Sequence, residues 1–346
     1  MKYPYLLCFA CLLFLLPSCK TDVPETSDTA APALERMKTL NLTATTQRKY
    51  FYQNIPSASG VERVQDSYYI MGDDSPFLYK LNEQFQLLEQ HALFDTAEFS
   101  SGRIPKASKP DLESMAHFTY GRDEMLLLLG SGASEARNRG FLVNLSEGNA
   151  VRELDMSRFY TFLKHVLKLE TEGELNLEGL ALDKTYVYLL QRPAGGGANV
   201  LIRLDADAFK RFVMEGAEIP AAAVYHFTLP AMGQNKASFS GAYASGDRLF
   251  FTASVEDTPN AIEDGEVLGS YIGVIDLNAL PYATDSNNPL NVPTVLIQNS
   301  DGSPYLGKAE SLVVLAGEEQ GQYEVVVVSD DDLGHSELLE VQLQVQ

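Results

Sequence analysis

The sequence predicts an all-β protein folded as a five-bladed β-propeller, and two features of the chain lead to that prediction. A motif of a small or acidic residue, a small residue and an apolar residue recurs five times, about sixty residues apart, as in repeat architectures. Strand-like segments follow each motif, and some, such as 125–129 and 325–328, are almost entirely apolar. Such runs are expected of strands that are buried on both faces.

The five motifs each open the innermost strand of one unit. They are Ser59-Gly60-Val61, Glu113-Ser114-Met115, Glu178-Gly179-Leu180, Ser240-Gly241-Ala242 and Glu310-Ser311-Leu312. In a propeller the innermost strands surround a central channel, and strands b, c and d of each unit lie progressively further out.

Alternation of apolar and polar residues places the strands of each unit. Unit one is predicted at 59–65, 67–72, 77–82 and 87–94, and unit two at 112–119, 124–129 and 140–145 with a poorly defined strand d. Unit three is predicted at 177–182, 186–191, 200–205 and 224–229, and unit four at 239–244, 248–254, 271–277 and 294–298. Unit five has three strands, at 309–315, 323–329 and 337–345.

Unit five ends with the chain and lacks an outer strand. Residues 37–43 alternate apolar and polar side chains, so we expect them to supply that strand and close the ring. A six-bladed propeller is the alternative if the region 160–173 holds a degenerate unit. Apolar residues there fall at helical spacing, however, and predict an inserted helix near 156–168 on the outside of the ring.

The N-terminus resembles that of bacterial lipoproteins. Lys2 precedes an apolar stretch too short to span a bilayer, and the segment ends in Leu16-Pro17-Ser18-Cys19, which is similar to a lipobox. The resemblance implies a signal peptide over 1–18 and lipidation of Cys19, palmitate being one of the chains expected. An ordinary secretory signal is the alternative. Cys8, Cys11 and Cys19 are the only cysteines, so the processed chain would keep one thiol and form no internal disulfide.

Composition sets the domain boundaries and excludes some partners. Residues 19–33 are polar, small and proline-containing, which predicts a flexible tether before a single propeller domain over 34–346. No Asp follows Cys19 directly, and this favours the outer membrane of the bacterial envelope over the inner one by resemblance to known sorting rules. The net charge of −21 excludes nucleic acid as a partner. The membrane is then reached through the lipid at Cys19.

The first residues of the inner strands are the candidate site. Equivalent positions in a ring face one axis, so Ser59, Glu113, Glu178, Ser240 and Glu310 are expected to converge at one end of the channel. The ligand-binding set is completed by three nearby cations, Lys236, Lys308 and Arg192. Three interpretations stay open: acids that hold neighbouring blades in register, a ligand-binding mouth, and catalysis by carboxyl groups that raise one another's pKa.

The motifs Asp111-Leu112-Glu113-Ser114, Asn176-Leu177-Glu178-Gly179 and Ala309-Glu310-Ser311-Leu312 resemble the esterase-like phytase group of propellers. They are closer still to a lipoprotein propeller family of unknown function. The phytase resemblance implies Ca²⁺ held by Glu113, Glu178, Glu310 and Asp330, although Ser59 and Ser240 replace the acid in two units. Two functions follow: a ligand-binding or scaffold module, or alternatively a calcium-dependent phosphoesterase or lactonase-type hydrolase. The sequence leaves the small-molecule or protein ligand unidentified.

Overall fold

The computed structural model describes residues 1, 40–95, 103–106, 108–169, 174–193, 198–257, 265–281, 283–284, 286–331 and 333–346. Apart from Met1, the predicted signal peptide, Cys19 and the predicted tether lie outside these residues. Among the residues that are described, no helix is both long and apolar enough to cross a membrane.

Five antiparallel sheets of the described chain form the blades. The chain enters through β1 (Leu42–Tyr52), and blade 1 holds β2 (Ala58–Val64), β3 (Ser67–Gly72), β4 (Phe77–Asn82) and β5 (Leu87–Ala92). Blade 2 holds β6 (Leu112–Tyr120), β7 (Asp123–Gly130), β8 (Arg139–Asn144) and β9 (Ala150–Asp155). The predicted strands of these two units therefore exist, and the poorly defined strand d of unit two is β9.

Blades 3 and 4 interlock at their outer edges. Blade 3 holds β10 (Leu177–Leu182), β11 (Tyr186–Gln191), β12 (Asn199–Asp205) and β13 (Ala222–Thr228), and a small hairpin, β14 (Ala231–Met232) and β15 (Asn235–Lys236), follows. Blade 4 holds β16 (Ser238–Ser245), β17 (Arg248–Asp257), β18 (Glu266–Asp276) and β20 (Thr294–Leu296). Before it reaches β20, the chain crosses back as β19 (Leu290–Asn291), which pairs parallel with β13.

Blade 5 joins the two ends of the domain. It holds β21 (Lys308–Ala316), β22 (Gln322–Asp330) and β23 (Ser336–Val345), and β1 is its outermost strand. Leu42 pairs with Val345 and Tyr52 with Ser336, so the pairing runs the length of both strands. The predicted closure is confirmed, but the predicted position was wrong: β1 shares only residues 42 and 43 with the expected segment 37–43. Residues 37–39 lie outside the described part.

The five inner strands form a closed ring in the order β2, β6, β10, β16, β21 and back to β2, each touching the next. All of them begin at one end of the propeller, which we call the mouth. Because β3, β11, β17 and β22 run antiparallel to their inner strands, they end at the mouth. The apolar core fills the spaces between blades; Leu126, Leu127, Leu128 and Leu129 of β7, for example, are completely buried.

Two helices pack outside the ring where a blade connection is long. The predicted helix near 156–168 is confirmed as α1 (Ser157–Leu167), and no sixth blade occurs in the described residues. A second helix, α2 (Ala206–Glu215), was not predicted. Its start is capped by the Asp205 side chain, which accepts a hydrogen bond from the Ala208 amide at 2.8 Å. The tilted rings of Phe159 of α1 and Phe209 of α2 contact each other, with their centroids 5.4 Å apart. Single turns of 3₁₀ helix lie at Glu135–Arg137, Leu145–Glu147 and Leu277–Ala279.

Removal of residues 1–52 is expected to lower the melting temperature sharply, because it takes away β1 and exposes the edge of β23. Removal of residues 1–32 is the matched control and should leave the melting temperature unchanged. Thermal denaturation followed by circular dichroism makes the comparison. Equal melting temperatures for the two truncations would show that β1 is not needed for closure.

Candidate functional site

Each inner strand carries a β-bulge at the mouth, and the bulge falls at the same place in all five blades. In blade 1, Ala58 pairs with Gly72 and Gly60 pairs with Met71, so the residue between them faces no partner on β3. The bypassed residues are Ser59, Glu113, Glu178, Ser240 and Glu310. A bulge re-aims the side chain of the extra residue. These five positions are therefore released from the strand pairing together.

The residue after each bulge is small because neighbouring inner strands approach closely there. A Cβ atom on Gly241 would lie 2.5 Å from the backbone oxygen of Glu310, and one on Gly179 would lie 3.1 Å from the backbone nitrogen of Ala242. Distances this short leave no room for a larger side chain. The second position of the repeated motif is thus a packing requirement of the ring.

The two serines at the bulges tie neighbouring blades together. The Ser59 hydroxyl donates a hydrogen bond to the Leu112 carbonyl at 2.5 Å, and the Ser240 hydroxyl donates to the Ala309 carbonyl at 2.5 Å. Each acceptor belongs to the residue just before the next blade's bulge. Both serines are almost fully buried. At these two positions the side chain holds adjacent inner strands in register.

Blades 3, 4 and 5 contribute one group of neighbouring charged residues, which we call the first arm. Arg192, directly after β11, lies 2.7 Å from Glu256 of blade 4 and 3.7 Å from Glu178 of its own blade. Lys308 at the start of β21 lies 2.9 Å from Glu310. The Asn176 side-chain amide also donates to Glu178 at 2.5 Å. The acids of the first arm are buried, so their contacts are shielded from solvent.

Blades 1 and 2 contribute the second arm, which is centred on Lys109 and Asp111. The Lys109 ammonium contacts Asp73 directly and lies 2.8 Å from Asp111. Asp111 also lies 2.8 Å from Arg137 and accepts a hydrogen bond from the Ser131 hydroxyl at 2.6 Å. The backbone of Asp111 is left-handed, with φ of 54°. Aspartate tolerates that conformation better than most residues, but such strain occurs preferentially at functional sites.

Glu113 lies between the two arms and, in the described chain, has no cation bonded to it. Burial raises its pKa well above the usual range, and the charges of Asp111 and then Glu178 raise it further. Asp111 belongs to the second arm and Glu178 to the first, so the pKa of Glu113 depends on charges in both arms. Its carboxyl group therefore holds a proton more tightly than an ordinary glutamate does. It is only partly buried and remains open to a ligand.

The other two glutamates of the ring are also shifted. Burial, opposed by Arg192 and reinforced by Glu310, raises the pKa of Glu178 to about 7. Burial raises the pKa of Glu310 as well, although Lys308 opposes the shift. Carboxyl groups whose pKa values reach neutrality can exchange protons under physiological conditions. The structure thus brings the three glutamates of the motif into one interacting set.

One corner of the site has the spacing of a metal site. Single carboxylate oxygens of Asp73, Asp111 and Glu113 all lie within 4.8 Å of one another. Lys109, however, already bonds to Asp73 and Asp111, and would have to be displaced by an ion that used all three acids. Glu178 and Glu310 likewise hold Arg192 and Lys308.

The remaining predicted residues lie at the edge of this set. Lys236 is exposed on the β14–β15 hairpin and forms none of the ion pairs found in the described chain. Asp330 ends β22, opposite Lys308 in the strand register, and its charge acts on Arg103. Arg103 itself lies 2.5 Å from Asp74 in the turn after β3.

Two residues that the sequence did not single out are Arg137 and Glu62. Arg137 lies in a 3₁₀ turn between β7 and β8, far from any motif. Glu62 lies deeper in the channel on β2, where the backbone amide of His117 on β6 binds it and Tyr243 of β16 lies nearby. Burial raises the pKa of Glu62 to about 8, against the lowering effect of that amide. The only sequence signal for Glu62 was a charge inside a strand that should be buried.

Residues 54–343 match the model of a protein family described as a family of unknown function, DUF6929. No curated protein matches the chain.

Solved structures share the overall arrangement at low identity. Glutaminyl cyclase from Myxococcus xanthus is 13% identical with a TM-score of 0.46, and the match covers 88% of this chain and 97% of that chain. The arabinanase Arb43A from Bacillus subtilis is 10% identical with a TM-score of 0.44, over 86% and 96%. Virginiamycin B lyase from Staphylococcus aureus is 8% identical with a TM-score of 0.36, over 87% and 99%. These values carry no activity over to this chain.

Replacement of the bulged residues is expected to change the stability of the protein in opposite directions in different blades. Ser59→Ala should lower the free energy of unfolding by about 1–3 kcal/mol, because it removes the buried hydrogen bond to the Leu112 carbonyl. Glu113→Ser should raise the free energy of unfolding, since it removes an acid whose pKa is raised by its surroundings and restores the hydroxyl found in blades 1 and 4. Urea denaturation of both variants at about pH 8 measures this. A loss of stability in Glu113→Ser would show that the acid holds the fold together.

Glu62 is expected to make the protein less stable as the pH rises. Its carboxyl group binds a proton more tightly in the folded than in the unfolded chain, so its unfavourable contribution grows between about pH 5 and about pH 8. Glu62→Gln should therefore reduce the difference in unfolding free energy between those two pH values. Glu153→Gln, which removes an exposed carboxyl group on β9, is the control and should leave that difference unchanged.

Proposed function

The chain belongs to the DUF6929 family, and we propose that it is a lipoprotein of the bacterial envelope whose propeller binds a small polar ligand at the mouth. The site is the set formed by the two arms and Glu113. It offers carboxylate acceptors and ammonium and guanidinium donors from all five blades within one small region. A few convergent polar groups of this kind are what orients a ligand in a binding pocket.

The observation that carries the proposal is the difference between the serines and the glutamates at the bulges. Ser59 and Ser240 show what the fold requires there, namely a short hydroxyl that bonds to the next blade. Glu113, Glu178 and Glu310 occupy equivalent positions with raised pKa values, which mark buried acids in an unfavourable environment. Residues that reduce stability without serving the fold are typical of functional sites.

The ion pairs of three cationic side chains favour a binding site over a catalytic one. Arg192 joins blades 3 and 4 through Glu256, and Lys308 fixes Glu310 at the start of β21. Lys109 joins blades 1 and 2 through Asp73 and Asp111. Ion pairs between blades keep the acids in place before any ligand arrives. A preorganised site of this type loses little entropy on binding.

The ligand should fail to bind when the first arm loses its acids. The double variant Glu178→Gln with Glu310→Gln keeps the shape of both side chains, so it should remain folded by circular dichroism. A panel of small polar metabolites is screened by thermal shift, and any compound that stabilises the wild type should not stabilise this variant. Glu153→Gln, on the outer strand of blade 2, should behave as the wild type. Equal shifts in the double variant would place the ligand elsewhere.

Anchoring through Cys19 is the second part of the proposal. It rests on the short apolar segment, the sequence Leu16-Pro17-Ser18-Cys19 and the polar tether after it. A chain with a net charge of −21 would have little affinity of its own for anionic lipid, so a lipid would have to supply the attachment. The absence of Asp directly after Cys19 favours the outer membrane.

Cys19→Ser is expected to move the protein from the membrane fraction to the soluble periplasmic fraction. The lipid is its only proposed attachment, so the loss should be nearly complete. Fractionation with labelling by an alkyne analogue of palmitate tests this directly, and Cys11→Ser is the matched control. Wild-type protein that is soluble and carries no acyl label would contradict the anchoring.

A calcium-dependent hydrolase is the second candidate function. The close spacing of the Asp73, Asp111 and Glu113 oxygens favours it, because Ca²⁺ prefers oxygen ligands. The wider set of Glu113, Glu178, Glu310 and Asp330 fits an ion less well, since Glu178 and Glu310 already hold buried cations. Calcium titration followed by thermal shift separates the two functions: stabilisation that Asp73→Asn removes would favour the hydrolase, which phosphatase and lactonase substrates then test.

A further inference from the structure

Large apolar side chains are exposed around the mouth end of blade 5. Apart from Met1, the described chain exposes five such side chains: Phe51, Leu87, Leu88, Leu306 and Leu333. Leu87 and Leu88 lie on β5 of blade 1, whereas the other three lie near the mouth ends of β1, β21 and β22. A single exposed apolar residue is ordinary, but several at one place mark a surface that a partner covers.

The exposed group of blade 5, which we call the rim, consists of Phe51, Leu306 and Leu333. The Phe51 ring lies against the His335 ring with centroids 5.3 Å apart, and Leu333 lies two residues before His335 in the turn between β22 and β23. Leu306 follows Tyr305, whose hydroxyl donates to Glu337 at 2.9 Å. Glu337 in turn pairs with Phe51 across the sheet. The three side chains are therefore gathered around the start of β23.

The surrounding structure fixes the exposure of the rim. Asp331 accepts a hydrogen bond from the Leu333 amide at 2.8 Å, so the turn that presents Leu333 to solvent has a defined shape. Tyr305 is buried beneath the Lys49 ammonium, which lies 4.6 Å from the centre of its ring, and this holds the neighbouring Leu306 at the surface. A surface that is ordered in advance loses little entropy when a partner binds.

The charge around the rim is negative. Asp331 and Glu337 lie beside it on blade 5, and Asp301 lies in the turn that leads to Tyr305, while Lys49 partly offsets them. The whole chain also carries a net charge of −21. Such a surface repels an anionic membrane and a second copy of the same chain, and it attracts a cationic partner.

The size of the rim suits a short segment of a partner. Its three side chains are 55% to 76% exposed, so together they offer only a few hundred Å² of apolar surface. A stable interface between two folded proteins buries about 800 Å² on each of them. Peptide segments, by contrast, are recognised through a small number of anchoring side chains.

We propose that the rim binds a segment of a partner polypeptide in which an aromatic or aliphatic side chain stands next to a lysine or arginine. The apolar side chain packs on the rim, and the cation pairs with Asp331 or Glu337. These carboxylates keep their present bonds, because a carboxylate accepts several hydrogen bonds at once. The interaction goes beyond the small polar ligand proposed for the mouth and does not depend on it.

Selection from a phage-displayed library of random peptides tests the inference, with the full chain carrying Cys19→Ser as the target. The selected peptides should place Phe, Tyr, Trp or Leu beside Lys or Arg. Synthetic copies should bind with micromolar Kd by fluorescence anisotropy. Their affinity should fall several-fold between about 0.05 M and about 0.5 M NaCl, as expected for a contact between exposed charges.

The triple variant Phe51→Ser, Leu306→Ser and Leu333→Ser should fold as the wild type does by circular dichroism, because all three side chains are exposed. It should bind each peptide about tenfold more weakly. Leu333→Ser alone lies in a turn and leaves β1 intact, so a several-fold loss of binding there would separate the rim from any effect on ring closure. Leu87→Ser with Leu88→Ser, which removes exposed leucines from blade 1, is the matched control and should bind as the wild type does.

The inference is overturned if the selection enriches no sequence, if it enriches acidic peptides, or if the peptides bind the triple variant as tightly as the wild type. Two further outcomes would assign the rim to another occupant and would overturn it as well. One is dimerisation in analytical ultracentrifugation that the triple variant abolishes, which indicates a second copy. The other is binding to phosphatidylcholine vesicles that the same variant abolishes, which indicates a lipid surface.

Discussion

Everything at the mouth depends on how closely the five inner strands approach one another. The ring is narrow enough that a Cβ atom on Gly241 would collide with the backbone of blade 5. The strands can pass this constriction only if the residue there is small and the residue before it is removed from the pairing by a bulge. The same geometric constraint therefore produces both the repeated motif in the sequence and the convergence of side chains in the site.

At the mouth, the contacts that hold the blades together are charged rather than apolar. Between the blades the contacts are apolar, and they could be replaced by other hydrophobic residues of similar volume. At the mouth, contacts within and between blades run through lysines and arginines that bridge acids, as Arg192 does between Glu178 and Glu256. Loss of one partner from such a bridge leaves a buried charge uncompensated, which is more unfavourable than the loss of an apolar contact.

The repeat made most of the fold predictable, because each blade repeats the same burial pattern and the pattern is visible in the residues. Strands such as β3, β10 and β11 begin and end where the alternation does. The prediction missed α2, a ten-residue helix in the connection between β12 and β13. It misplaced β1 because strand pairing with β23 extends past the alternating segment. The equivalent positions of the repeated motif were enough to predict which acids lie at the bulges. Arg137 contacts Asp111 from a turn between strands, and no local sequence pattern specifies the path of that turn.

The direction of β1 has a consequence for orientation. Its last residue, Tyr52, lies at the mouth, and its first residue, Leu42, pairs with Val345 at the opposite end of the propeller. The chain therefore enters the domain from the end remote from the charged cluster. Under the proposed anchoring at Cys19, the tether would join the propeller at the pole opposite to the charged cluster, so attachment to a membrane would leave the mouth unobstructed by the chain that leads to it.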